Sequence, residues 1–294
     1  MTIRLGTRGS KLALVQSELV ARRLREAGHA VELVPIVTEG DVRPIDMSIG
    51  EGVFVAAIGR ALIAGEIDIA VHSAKDVPLE EEPDLLIAAY PERADPCDAL
   101  ITRHGGASLE SLAGGSVVGT DSPRRTGFLL ASRPDLKMVP LHGNVETRLR
   151  RLDDGEVDGI VLAVAGIERL GKEARIDQRL DPDIVAPAPG QGALAVQLRR
   201  TDARMLELVS GIDDQDIRLA VEAEREVLRA TGGTCRAPVG ALASVNGEAF
   251  TLLGAGVSSD GTDRLVERVN GNRTVARVLA AGLGRRLVEK VVLR

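Results

Sequence analysis

Aromatic side chains are almost missing from this chain: 1% of its 294 residues, with no Trp, and only Tyr90, Phe54, Phe128 and Phe250 present. A core built under that restriction must use Val, Leu, Ile and Ala, and a stacking platform for single-stranded nucleic acid is excluded. A basic surplus is lacking as well. The formal net charge is −6, which does not suit a general nucleic-acid binder. No apolar run reaches spanning length. The two cysteines, Cys97 and Cys235, lie far apart and in no metal-ligand spacing, so no metal is expected. The opening "MTIRLGTRGSKLA" breaks into Gly, Arg and Ser, unlike a secretory leader. The expectation is a cytoplasmic, reduced, soluble protein with neither nucleic acid nor membrane as partner.

What is present is 44% hydrophobic content, enough for globular folding, laid out as alternating strand and helix patterns. Residues 2–6 read as a strand and 10–27 as a helix, with Ser10 as N-cap and Gly28 as stop. "VELVPIVT" reads as the next strand, followed by a polar connection (39–52), an apolar helix near 53–64 and the buried strand "IDIAVHS" at 67–73. This alternation predicts an α/β fold with a mostly parallel sheet covered on both faces.

"PERADPCDA" at 91–99, with two prolines and four charged residues, reads as a crossing between domains. The pattern then restarts: "SVVGT" as a strand, Ser122-Pro123 as N-cap and first helical residue, "LKMVPLHG" as a strand, Asn144 as a cap, and "DGIVLAVAG" as a buried strand. The two units form a weak internal repeat. "APAPGQGA" at 186–193 reads as a second crossing, with "ALAVQL" as a strand returning to the first domain. From about 214 a charged helix (216–230), the loop "TGGTCRAP", turns at Asn246-Gly247 and Asp260-Gly261, and a helix over 273–290 predict a small α+β domain. The expected boundaries are 1–92 with 193–210, 98–186, and 214–294.

Three stretches put arginine where a strand ends and a helix begins: Arg8 in "IRLGTRGSKLAL", Arg124 and Arg125 in "VVGTDSPRRTG", and Arg148 in "LHGNVETRL". Open α/β sheets bind ligands at these ends, and helix N-termini favour anions. Arginine there is not explained by the helix dipole, so a bound anion would supply the missing compensation. A solvated helix surface with scattered arginines fits the same spacing. In "VHSAKDVP" a buried strand delivers His72, Ser73, Lys75 and Asp76 to its carboxyl end. Asp76 could steady a developing positive charge or act as general acid–base, or the stretch could be a structural Lys-Asp turn. Cys235 sits in a Gly-rich loop beside Arg236, a neighbour that favours thiolate, although a lone cysteine is commonly inert packing.

Nine stretches in order closely resemble the hydroxymethylbilane synthases, also called porphobilinogen deaminases: "GTRGSKLALVQ", "VELVPIVTEGD", "DIAVHSAKDVP", "PERADPCDA", "VVGTDSPRR", "HGNVETRL", "GIVLAVAGIERLG", "PGQGALAV" and "CRAPVGA". The resemblance implies two doubly wound lobes like those of type II periplasmic binding proteins, plus a small α+β domain carrying a cysteine. It implies a transferase that joins four porphobilinogen molecules head to tail, losing ammonia at each addition, and releases hydroxymethylbilane by hydrolysis. It implies a dipyrromethane cofactor bound through a thioether to Cys235. Asp76 matches the catalytic aspartate, whose carboxylate would accept pyrrole N–H bonds and stabilise the cationic azafulvene formed as ammonia leaves. Arg8, Arg124, Arg125, Arg148 and Arg169 match carboxylate-binding arginines, with Ser10, Ser73, Lys75, Thr120, Ser122, His142 and Gly143 beside them. Porphobilinogen carries an acetate and a propionate, so the anion implied by the arginines is a pyrrole carboxylate.

The sequence departs from the family pattern at several points. The usual R-G-N-V reads "HGNV", with His142; the usual G-T-S-S reads "GTDS", with Asp121; "IGEG" brings Glu51; Ala56 stands where many members carry lysine; and Thr234 replaces a glycine. The first four make the binding region less positive. One reading is a working synthase with Arg236 or Arg43 compensating; the alternative is a related bilobal small-anion-binding protein without polymerase activity. Asp76, the Arg124–Arg125 pair, Arg148 and Cys235 favour the first. A solute-sensing domain would call for a further DNA-binding or partner module, and none is visible.

Overall fold

Residues 2–36, 53–80, 82–234 and 236–291 are described by the computed structural model. The elements of the first half are β1 (Thr2–Arg8), α1 (Lys11–Glu26), β2 (Ala30–Ile36), α2 (Val53–Ile63), β3 (Ile69–Ser73), β4 (Leu85–Ala89), β5 (Asp98–Thr102), β6 (Val117–Gly119), α3 (Pro123–Ser132) and β7 (Lys137–Val139). There follow α4 (Val145–Asp153), β8 (Gly159–Ala163), α5 (Val164–Arg169), β9 (Gln178–Leu180), β10 (Leu194–Arg199), α6 (Ala203–Ser210) and α7 (Gln215–Ala230). The chain closes with β11 (Val239–Asn246), β12 (Ala249–Val257), β13 (Arg264–Asn272) and α8 (Ala276–Lys290). Contacts group them into two units, Met1–Ala94 with Ala193–Arg218, and Asp95–Gly192 with Leu219–Arg294.

The first unit holds a five-stranded sheet in the order β2-β1-β3-β10-β4. β1 runs parallel to β2 and β3, whereas β10 is antiparallel to both β3 and β4. The sheet is therefore mostly parallel, as expected, with the returning strand β10 as its one antiparallel member. Strand alternation sends Ile3, Leu5, Ile69 and Val71 to one face, where Val20, Ala21 and Leu24 of α1 meet them. Ala70 faces the other way, toward Ile58 and Leu62 of α2. The Ser10 hydroxyl caps α1 by accepting from Ala13 N at 3.3 Å.

In the second unit the order is β7-β6-β8-β5-β9, with β6 parallel to β7 and β8, and β5 antiparallel to β8 and β9. Leu100, Val118, Val161, Phe128 and Leu129 form one core, which is continuous with Leu253, Ala255 and Val257 of the antiparallel sheet β11-β12-β13. The opposite face packs Ile101, Ile160 and Leu162 on Leu149 and Leu152 of α4. Buried Glu224 of α7 accepts from Gly190 N at 2.7 Å and Ala243 N at 2.8 Å, which fixes the connection before β10 to the third sheet. Gly119 is required at the end of β6, because a Cβ there would come within 2.9 Å of Leu141. The stretch "GIVLAVAG" is strand only as far as Ala163; Val164 already begins α5.

Candidate functional site

The polar residues at the carboxyl ends of the parallel strands form one group in each unit. In the first unit, Arg8 ends β1, Ser10 opens α1 and Ser73 ends β3. The Ser73 hydroxyl accepts from Gln16 Nε2 at 3.0 Å, tying the end of β3 to α1. A 3-10 turn, Ala74–Asp76, follows, started by Ala74 N donating to Ala193 O at 2.9 Å. That turn leaves Asp76 exposed and Lys75 half-buried. His72, one residue before Ser73, points into the interior at 3.2 Å from Gln197 Oε1, and burial pushes its imidazole down to about 4. His72 is thus a neutral core residue.

In the second unit, buried Thr120 follows β6, and its hydroxyl accepts from Ser122 N at 3.3 Å. Ser122 caps α3, accepting from Arg125 N at 3.4 Å, with Pro123 at the first helical position. Arg124 and Arg125 occupy the first turn but turn inward, only 4% and 7% exposed. Both meet Asp98, the first residue of β5, which is fully buried. Arg124 Nη1 lies 2.8 Å from Oδ2 and also donates to Ala186 O. Arg125 donates to Oδ1 through Nη2 at 2.7 Å and Nε at 3.0 Å, and to Val161 O at 3.0 Å. Gln191 Nε2 adds a third donor to Oδ1 at 3.0 Å. Burial alone would raise the Asp98 carboxyl, but the two guanidiniums outweigh it and hold the group far below the usual carboxylate range.

This corrects one expectation. The arginines that open α3 do have an internal counter-charge, and it comes from a segment read as a connection. Asp98 is a residue that motif reasoning missed; its signal is an acid heading the apolar run "DALIT". Compensation is still incomplete: among the described residues, Asp98 is the one carboxylate paired with these two guanidiniums.

The loop after β7 brings His142 and Gly143 ahead of α4, which Asn144 caps by accepting from Thr147 N at 2.9 Å. Gly143 has φ +114°, a left-handed conformation that suits glycine. Arg148 Nε donates to Gly143 O at 2.8 Å and its Nη2 to Asp121 Oδ2 at 3.1 Å. His142 Nδ1 lies 2.9 Å from the same oxygen. Burial lowers the Arg148 guanidinium from its ordinary value, with Asp121 opposing that shift. Arg169, at the end of α5, donates to Gly192 O at 2.8 Å. So Thr120, Asp121, Ser122, His142, Gly143 and Arg148 gather around the ends of β6 and β7, with the Arg124–Arg125–Asp98 cluster behind them. Cys235, Glu51 and Arg43 lie outside the described residues. Among those described, no group of three or more His, Cys, Asp or Glu could hold a metal, and no helix is long and apolar enough to cross a membrane.

Residues 3–207 match the family described as "Porphobilinogen deaminase, dipyromethane cofactor binding domain", and residues 218–292 match "Porphobilinogen deaminase, C-terminal domain". A porphobilinogen deaminase of Roseiflexus sp. (strain RS-1) is 47% identical over 265 residues, 88% of this chain and 87% of that protein. Those of Roseiflexus castenholzii and Stenotrophomonas maltophilia are 44% and 46% identical, covering 99% and 96% of this chain and 96% and 98% of their own. Among solved structures, the second substrate-binding domain of a putative amino acid ABC transporter from Streptococcus pneumoniae is similar, with a TM-score of 0.48 and 13% identity, covering 79% of this chain and 95% of that one. The chain belongs to the porphobilinogen deaminase family.

Proposed function

We propose that this protein is a hydroxymethylbilane synthase: it condenses four porphobilinogen molecules head to tail, loses one ammonia at each addition, and releases the linear product by hydrolysis. The observation that carries the reading is the excess positive charge at the strand ends of the second unit, where two buried guanidiniums share the single carboxylate of Asp98. A buried cation without a full counter-charge is costly, and a ligand carboxylate supplies what is missing. Porphobilinogen offers two carboxylates, an acetate and a propionate.

The same chemistry fits the dipyrromethane group of the family. Its carboxylates match the donors of Arg124, Arg125, Arg148, Arg169 and His142, the hydroxyls of Thr120 and Ser122, and the backbone N–H groups at the starts of α3 and α4. Cys235 is the residue to which a thioether would attach. When bound, the group supplies the primer on which the chain is built. In the first unit, Arg8, Ser10, Ser73 and Lys75 hold carboxylates of the substrate. Exposed Asp76 accepts the pyrrole N–H and stabilises the positive charge that develops on the substrate ring as its C–N bond to ammonia breaks. Each charge-assisted contact contributes about 1.5–3 kcal/mol. We further take the enzyme to work as a cytoplasmic monomer, with sedimentation velocity as the check.

The testing experiment is the denatured mass of the purified protein with peptide mapping around Cys235, followed by turnover of porphobilinogen. An addition equal to two deaminated porphobilinogens on the Cys235 peptide is expected. The Asp76→Ala variant should carry the same addition while losing turnover by about 10²–10⁴-fold. A bare Cys235 after incubation with porphobilinogen would overturn the reading and favour a small-anion-binding protein; rapid product formation by Asp76→Ala would remove Asp76 from the reaction.

A further inference from the structure

Asp121 is an acid placed among donors that, on the reading above, receive ligand carboxylates. It follows β6, whereas His142 and Arg148 follow β7, so the contact joins two neighbouring strand ends. One oxygen serves both partners: Oδ2 lies 2.9 Å from His142 Nδ1 and 3.1 Å from Arg148 Nη2. The other oxygen, Oδ1, is buried and makes no hydrogen bond. An optimised carboxylate–arginine bridge uses both oxygens in a parallel fork, and a buried acceptor without a donor is unfavourable. This pairing is therefore a poor permanent salt bridge.

Arg148 does not depend on it for position. Its Nε is anchored on Gly143 O, and its own helix start is fixed by the Asn144 cap. Arg125 and Arg151 lie close enough to act on Arg148 electrostatically, so the corner stays positive without Asp121. The three side chains are 20–29% exposed, which leaves the corner open to a solute: 29% for His142, 22% for Asp121 and 20% for Arg148.

We infer that Asp121 is an internal carboxylate that occupies the His142–Arg148 corner in the absence of ligand, and that a ligand carboxylate enters there by displacing it. Asp121 is then a specificity-determining residue that weakens this corner for acetate- and propionate-bearing molecules and keeps its two donors side by side beforehand. Only the identity of the natural ligand rests on the synthase reading; the competition rests on the geometry.

The test uses the full chain produced without porphobilinogen, so that the corner is not already filled, and sodium propionate as probe, with thermal midpoints compared against sodium chloride at equal ionic strength. Asp121→Ser should bind propionate about fivefold more tightly than wild type, the size expected from removing a partly exposed competing ion pair. Adding His142→Ala to it should take most of that gain away. Should Asp121→Ser fold poorly, Asp121→Asn removes the same charge at the same shape and should shift affinity in the same direction. In assembly, the Asp121→Ser chain should acquire its dipyrromethane addition at a porphobilinogen concentration lower by a similar factor. Equal or weaker propionate binding by both Asp121 variants would overturn the inference, as would assembly that needs more porphobilinogen. The propionate comparison decides the role of Asp121 even if Cys235 proves bare, so failure of the synthase reading and failure of this inference are distinguishable.

Discussion

The two α/β sheets follow one plan and differ in where they put charge. Their orders, β2-β1-β3-β10-β4 and β7-β6-β8-β5-β9, have parallel strands on one side and a single antiparallel strand next to the far edge. Gly6 pairs with Ala70 as Gly119 pairs with Ile160, so Gly6-Thr7-Arg8 and Gly119-Thr120-Asp121 occupy the same place. The first turn there carries a cation and the second an anion. The antiparallel strands differ too: Leu194 opens β10 opposite Ser73, whereas Asp98 opens β5 opposite Ala163. An acid at that register lets the second unit bury two guanidiniums. The first unit has an apolar residue there, and its charged groups Arg8, Lys75 and Asp76 remain half-buried or exposed. One backbone plan thus yields two electrostatic characters through a few side chains at equivalent positions.

The strongest way to break this contrast is Asp98→Leu, which gives the second sheet the residue the first one has. Two buried guanidiniums would lose their shared counter-charge, and we expect a loss of about 3–5 kcal/mol in urea unfolding. A loss below about 1 kcal/mol would mean that the arginines do not depend on Asp98. The next effect separates the units by pH. His72 sits at about 4 in the folded first unit against 6.5 unfolded, so the unfolded chain binds the proton first. Its contribution is complete above 6.5 and is lost as pH falls toward 4, about 2–3 kcal/mol by pH 4.5. Asp98 is also lowered on folding, from 3.8, so its contribution is lost only as pH falls below about 4. Guanidinium unfolding at pH 7 and 4.5 should therefore show a steeper loss for wild type than for His72→Gln; parallel losses would contradict a buried neutral His72. The smallest effect tests equivalence directly. Ser10→Ala and Ser122→Ala remove caps with bonds of 3.3 and 3.4 Å, and each should cost about 1 kcal/mol. Markedly unequal costs would mean that the two strand–turn–helix corners are not alike.

Much of this was legible because it is local. Ser10, Ser122-Pro123 and Asn144 announce their helices within three residues, and all three caps are found. The hairpin turn at Asn246-Gly247 lies between β11 and β12, with φ +58° at Gly247. What escaped is long-range. Asp98 meets Arg125 across 27 positions and Gln191 across 93, and no periodicity links residues so far apart. Asp121 and His142 were each visible as a loss of positive charge, but their contact depends on two strand ends lying side by side. The antiparallel run of β10 and β5 was hidden for the same reason: strand direction follows from how the chain crosses between units, which a hydrophobic pattern does not record.

That crossing has a consequence for synthesis. β9, the last strand of the second unit's α/β sheet, ends at Leu180, whereas the first unit's sheet needs β10, which ends at Arg199 and inserts between β3 and β4. On a ribosome, the α/β sheet that begins first is completed second. Until then β3 and β4 wait as a nascent chain with an unfilled gap between them, bridged only by contacts more than 100 positions apart, such as Ala195 with His72.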